Sequence, residues 1–434
     1  MTDLQVSVET REGLERRIKV QIPADRIESE VNSRLQRVGR TAKLKGFRPG
    51  KIPAKVIRQH YGGQIRQEVL QAIVESSYSE AITQEKLRPA AVPTIEPENA
   101  GAGDDFTYTA TFEIYPDVKL AGLDGLKVER PQTEIEAADL DEMIETLRKQ
   151  RATWSPVERS AAEGDRVTVD FEGSLKGEPI ANGSGKEVPI VLGQGQMLAD
   201  FEKNLIGLKS GSDKAFKLKF PKDYHAEELA GQKVDFQVTV GDVAEQQLPD
   251  VDQEFIKALG VASGDAGDFR QDVRSNMGRE VDSRIKAEIK RQLMEQLMEA
   301  NPIDLPAVLI EREAASLRDE SLRNLGITDP QDPRAPGLDA FREAAERRVR
   351  LGLLVSAVIE ENKLEIDRER VKQKVDEMCA PYDQPEEIRK LYYQNPQLLS
   401  QLENLVMEDQ VVEWLVSKAT VKDKVISFND LMNG

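Results

Sequence analysis

Cysteine is almost missing. Cys379 is the only one in 434 residues, so no intramolecular disulfide can form and a reducing compartment, the cytoplasm, is expected. Histidine is nearly as scarce, with His60 and His225 alone, which leaves no His/Cys cluster for zinc. No phosphate-binding P-loop occurs, and Gly193-Gln194-Gly195 is too short for a dinucleotide fingerprint. Neither ATP-driven work nor nicotinamide chemistry is therefore expected, and no cofactor or metal. No run of about eighteen apolar residues is present, and the polar stretch Met1–Thr10 lacks an apolar signal core, so a membrane is not among the expected partners. Aromatic residues make up only 5% of the chain. That scarcity suggests broad clefts or elongated helical parts rather than one dense globule.

What is present is charge: 32% of residues are Asp, Glu, Lys or Arg, with a net charge of -18. Such a chain stays soluble and avoids nonspecific contact with nucleic acid. One window departs from this balance. No Asp or Glu occurs from Val31 to Gln67, while Arg34, Arg37, Arg40, Lys43, Lys45, Arg48, Lys51, Lys55, Arg58 and Arg66 all fall inside it. At its centre stands Gly46-Phe47-Arg48-Pro49-Gly50-Lys51-Ile52-Pro53. Two glycines free the backbone and two prolines fix φ nearby, which reads as a presented loop. Clustered cations with an exposed aromatic point to an anionic, structured partner such as ribosomal RNA and its proteins. The plainer alternative is a solvated basic helix–loop–helix.

A chain of this length holds two to four domains. Leu14, Ile18, Val20 and Ile22 alternate with charged residues, as do Phe106, Tyr108, Ala110, Phe112 and Ile114 with polar ones, and helical spacing lies between the two runs. Residues 1–115 therefore read as an α+β domain with helices on one face of a sheet. Residues 116–151 read as a linker whose charged helix, from about Ala137, carries a narrow stripe of Leu140, Ile144 and Leu147 and so lies along another domain. Short alternating strands follow around Val167–Phe171, Phe216–Phe220 and Val234–Val240, separated by turns at Gly183, Gly185, Gly193 and Gly195. They make 152–246 a small antiparallel sheet domain. Beyond Pro249 the apolar residues recur at helical spacing, so 247–434 reads as all-α. The whole is an α+β multidomain chain. Six of its nine methionines lie in the last domain, where they either fill the core or face varied apolar partners.

The loop Gly46–Pro53 resembles the ribosome-docking signature of the trigger factor family, bacterial chaperones of the nascent-chain exit. The resemblance implies docking at the large ribosomal subunit near the tunnel exit, on protein and ribosomal RNA, through Gly46, Phe47, Arg48, Pro49, Gly50, Lys51, Ile52 and Pro53. The domain order matches that family along nearly the full chain, and Phe428-Asn429-Asp430-Leu431-Met432 is similar to its terminus. The implied partners are nascent and unfolded polypeptides, with a homodimer off the ribosome.

Val169–Gly173, Val191–Leu198 and Phe220–Tyr224 resemble the FKBP-type peptidyl-prolyl isomerase fold. The resemblance implies an apolar proline pocket of Phe171, Ile190, Met197, Leu198, Phe201, Tyr224 and Phe236, with the Leu198 N–H holding a substrate carbonyl. Periodicity alone reads the same residues as core. Phe201 stands where small FKBP-type enzymes have tryptophan, and no pocket aspartate stands near Ile180–Asn182. The chemistry needs no nucleophile, because the barrier of about 20 kcal/mol is amide resonance. Two readings follow: an ATP-independent chaperone with isomerase activity, or an RNA-binding protein that carries an isomerase module on a helical scaffold.

Overall fold

The computed structural model describes residues 5–10, 13–42, 44, 47, 52–99, 105–221, 229–329, 332, 334–380, 382 and 384–433. The chain opens with β1 (Gln5–Thr10), β2 (Glu15–Ile22), α1 (Ala24–Thr41), α2 (Ala54–Gln84), β3 (Thr94–Asn99) and β4 (Phe106–Glu113). It continues through β5 (Lys127–Gln132), α3 (Ala137–Gln150), β6 (Thr153–Pro156), β7 (Arg166–Leu175), β8 (Glu178–Val191), α4 (Ala199–Leu205), β9 (Asp213–Lys219) and β10 (Lys233–Gln247). Then come α5 (Gln253–Ala258), α6 (Ala266–Ala300), α7 (Ala307–Asn324), α8 (Arg342–Asn362), α9 (Arg368–Cys379), α10 (Pro385–Gln394), α11 (Pro396–Lys418), β11 (Thr420–Val425) and α12 (Phe428–Asn433). No helix among the described residues is long and apolar enough to cross a membrane. Two compact units result, 1–130 with 287–423, and 131–286 with 424–434.

In the first unit, β1-β2-β4-β3 form an antiparallel sheet. Period-two alternation puts Ile18, Val20 and Ile22 on one face, and the register sets Ile18 opposite Ala110 and Val20 opposite Tyr108. Helix α1 covers that face with Ile27, Val31 and Leu35, spaced four apart. Helix α2 adds Ile57, Ile65, Val69 and Ile73, so one core joins both helices to the sheet. A buried polar pair in it is self-satisfied: the Ser77 and Tyr108 hydroxyls lie 2.9 Å apart. The helical part of this unit holds three further cores. Leu293, Met294, Leu297, Leu354, Val358, Val411 and Leu415 pack with Leu126 and Val128. Val371, Val375, Cys379, Leu402 and Val406 make a second, and Ile310, Ala314 and Ala345 a third. Cys379 is thus a buried core residue. Met294 is core as well, whereas Met378 is exposed.

In the second unit, β6-β10-β7-β8 run antiparallel, with β9 paired to β10. Gly183 and Gly185, expected in turns, lie inside β8 instead, and at Gly185 the missing side chain leaves room for the Phe171 ring. A separate core brings α3 (Leu140, Ile144) against α5 (Phe255, Ile256), α6 (Phe269, Val273, Met277, Val281) and α12 (Phe428, Leu431). The stripe on the charged linker helix is therefore buried by segments more than a hundred residues downstream. β11 is a strand within the otherwise helical stretch and pairs with β5.

Candidate functional site

The isomerase-like pocket is built on β7, β10 and α4. Phe171 on β7 and Phe236 on β10 stand on adjacent inner strands of the sheet, and Phe201 on α4 packs its ring against both. Phe201 is 1% exposed and meets three rings edge-on: Phe236 at 5.3 Å, Phe216 at 5.4 Å and Phe171 at 5.7 Å. Edge-to-face packing at such distances adds to plain area burial. Phe171 and Phe236 are 6.4 Å apart. Ile190 is buried in the same cluster, and Met197 and Leu198 pack against it half-buried. The structure so brings together six of the seven pocket residues expected from sequence; Tyr224 lies outside the described residues.

Two glycines make room for the rings. A Cβ on Gly185 would come within 2.7 Å of the Phe171 ring, and one on Gly173 within 2.8 Å of the Phe236 ring. The register explains why: Phe171 faces Gly185 and Phe236 faces Gly173 across the ladder. Sequence reasoning placed Phe216 on a strand but not in the pocket. Half-buried, it stacks 6.1 Å from Phe236. The alternation Phe216, Leu218, Phe220 was the available signal, since all three point to one face of β9. Two cavities of about 420 Å³ border this sheet, and Phe171 and Phe236 each line one of them. Neither takes in Met197, Leu198 or Phe201, so the ring cluster rather than a closed cavity defines the candidate site.

The Leu198 carbonyl accepts the N–H groups of Phe201 (2.7 Å) and Glu202 (3.2 Å), while its own N–H has no acceptor among the described residues. Elsewhere in the same domain, Arg159 holds Asp165 with two hydrogen bonds at 2.5 and 2.9 Å, and the Ala162 N–H adds a third at 2.8 Å. Burial pushes the Asp165 carboxyl up, but these bonds outweigh it and hold the group below its ordinary range.

At the other candidate site, Phe47, Ile52 and Pro53 are described, and Gly46, Arg48, Pro49, Gly50 and Lys51 lie outside the described residues. Phe47 stays 40% exposed, whereas Ile52 packs on the core of the first sheet and Pro53 caps α2. The basic window is not uniform. Glu28 on α1 takes Arg58 at 2.7 Å and Arg66 at 2.9 Å, and Glu68 lies 4.0 Å from Arg34. Arg37, Arg40 and Lys55 are exposed with no acid partner among the described residues.

Comparison with known proteins assigns the family. Residues 4–147 match the family described as bacterial trigger factor protein, and 266–417 match the C-terminus of the same family. A trigger factor of Alkalilimnicola ehrlichii is 43% identical over 99% of this chain and 96% of its own, and one of Thioalkalivibrio sulfidiphilus is 44% identical over 99% and 98%. The chain belongs to the trigger factor family. Residues 157–241 match FKBP-type peptidyl-prolyl cis-trans isomerase, so this trigger factor chaperone carries an isomerase domain between its two family-specific parts. A solved structure from work on promiscuous substrate recognition by the trigger factor chaperone shares the fold, with a TM-score of 0.50 over 95% of this chain and 99% of that one at 18% identity. The alternative of an RNA-binding protein on a helical scaffold finds no support, since both flanking segments match trigger factor rather than an RNA-binding family.

Proposed function

We propose that this chaperone docks at the large ribosomal subunit near the tunnel exit, on protein and ribosomal RNA, and shields nascent and unfolded chains in the cytoplasm while its central domain isomerises X–Pro bonds. Residues 1–115 dock, 116–151 link, 152–246 isomerise and 247–434 form the client-holding domain; off the ribosome the chain pairs with a second copy. The observation that carries docking is Phe47: a large apolar side chain still 40% exposed, in the same sequence window as Arg37, Arg40 and Lys55, which have no acid partner among the described residues. Apolar exposure beside unneutralised charge fits a partner that is anionic and carries its own apolar contacts.

Isomerisation follows from the ring cluster. Phe171, Ile190, Met197, Leu198, Phe201, Tyr224 and Phe236 would receive the proline ring and strip water from its amide. The twisted amide has lost its resonance and its charge separation, so a dry apolar wall favours it over the planar ground state. The unengaged Leu198 N–H would hold a substrate carbonyl and orient the bond.

The test is co-sedimentation of the full chain with intact ribosomes. Replacing Phe47, Arg48 and Lys51 with Ala should abolish it and leave folding unchanged; wild-type binding by that triple variant would sink the docking reading. Sedimentation velocity of the free protein tests the homodimer, which a concentration-independent monomer would exclude.

A further inference from the structure

Glu202 is a carboxylate 5% exposed, in the residue after Phe201, and among the described residues no cation pairs with it. Burying a charge without a counter-ion is costly unless hydrogen bonds replace the lost water. Here two do. The Gly193 N–H donates to Oε2 at 2.9 Å and the Met197 N–H donates to Oε1 at 3.0 Å. These amides stand at the two ends of the loop between β8 and α4, where Gly193 (φ +91°) and Gly195 (φ +68°) take left-handed backbone. The next amide along is that of Leu198, the one with no acceptor. One side chain thus fixes both ends of the segment that carries the pocket rim, and it does so from the helix that carries the pocket floor.

We infer that Glu202 is a positioning residue for prolyl isomerisation: its two oxygens lock the 193–197 loop so that Met197 stays packed on the ring cluster and the Leu198 N–H stays free for a substrate carbonyl. This rests on reading the ring cluster as the isomerase site. The chemistry asks for an acceptor on both atoms. Glutamine has the same shape but only one acceptor, and its NH₂ would face a second donor. One backbone amide is then released, and the Leu198 N–H next to it loses the fixed direction on which preorganised stabilisation depends.

The experiment uses the full chain, a short proline peptide and protein labelled with ¹⁵N-leucine. Wild type is measured first; if it does not accelerate cis/trans exchange, the isomerase reading fails and this inference falls with it. With wild type active, Glu202→Gln should lower kcat/KM by at least about tenfold, the loss of one charge-assisted hydrogen bond, and should shift or broaden the Leu198 amide signal. Asp165→Asn, which weakens another buried carboxylate clamp of the same domain, serves as the control and should keep kcat/KM within about twofold of wild type even where its melting temperature falls as far. An unchanged rate in Glu202→Gln, a rate that falls only in step with Asp165→Asn, or an unmoved Leu198 signal overturns the inference. Should Glu202→Gln fail to fold, Glu202→Asp keeps the charge yet is one methylene too short to reach both amides, and it carries the same expectation.

Discussion

Gln292 faces the backbone of Glu129 with both ends of its side-chain amide: Oε1 accepts the Glu129 N–H at 2.8 Å, and Nε2 donates to the Glu129 carbonyl at 2.9 Å. One helical turn on, Gln296 repeats the arrangement on Lys127, at 2.9 and 2.6 Å. Two glutamines of α6 thereby imitate a neighbouring strand along one edge of β5, while β11 pairs with the other edge. Replacing either glutamine with Leu removes a donor and an acceptor at once. Each variant should lose about 1 kcal/mol of stability, read as a lower urea midpoint at unchanged slope. The double variant should depart from additivity, because the two residues are in contact through the Gln296 Nε2 bond to the Gln292 carbonyl.

Phe201 and Phe171 should separate stability from catalysis. Phe201 is enclosed by rings on several sides, so Phe201→Ala should cost about 3–5 kcal/mol, and a lost isomerase rate in that variant would report a loosened core. Phe171 is half-buried at the pocket edge. Phe171→Ala should lower kcat/KM on a proline peptide while moving the urea midpoint less than Phe201→Ala does. A Phe171 variant with full activity would remove it from the pocket.

The Asp165–Arg159 pair sets an acid-side dependence. The folded pKa of Asp165 lies below its ordinary value, so its contribution to stability is complete above the unfolded carboxylate value of about 3.9 and is lost as pH falls through the folded value. Wild type should therefore lose melting temperature as pH drops below about 4, and Asp165→Asn should show a shallower decline there. Equal slopes in the two proteins would mean that other carboxylates govern the acid limb.

The basic window should divide by partner. Arg58 and Arg66 are occupied by Glu28, whereas Arg37, Arg40 and Lys55 have no acid partner among the described residues. Neutralising the latter three should weaken ribosome co-sedimentation more than neutralising Arg58 and Arg66, and the difference should shrink at high salt as screening shortens the reach of each charge. The same loss from both sets would show that the Glu28 pairs open on docking.

The strands that bury one face were legible because a period of two leaves a mark: Ile18, Val20 and Ile22, or Val234, Phe236, Val238 and Val240. β5 and β11 left none. β11 is exposed along its whole length, charged on both faces, and is held by partners nearly three hundred residues away in sequence. At the isomerase-like site, periodicity identified the apolar residues but could not distinguish wall from core. The resemblance selected six that the fold does gather, and it passed over Phe216, Gly173 and Gly185, whose roles depend on cross-strand register. The partition of the basic window was hidden for a similar reason, since Glu28 precedes the acid-free stretch and reaches Arg58 and Arg66 only once α1 and α2 lie side by side.

The core shared by α3, α5, α6 and α12 has a consequence in time. A chain emerges from its N-terminus at roughly 5–20 residues per second. The sheet of β6–β10 has all its strands by Gln247, but the core of Leu140 and Ile144 gains Phe255 and Ile256, then Phe269 to Val281, and only later Phe428 and Leu431. The core around this helix is therefore complete only once α12 has been made, well after α5 and α6. During its own synthesis this chaperone is thus itself a chain with apolar surface waiting for segments still to come.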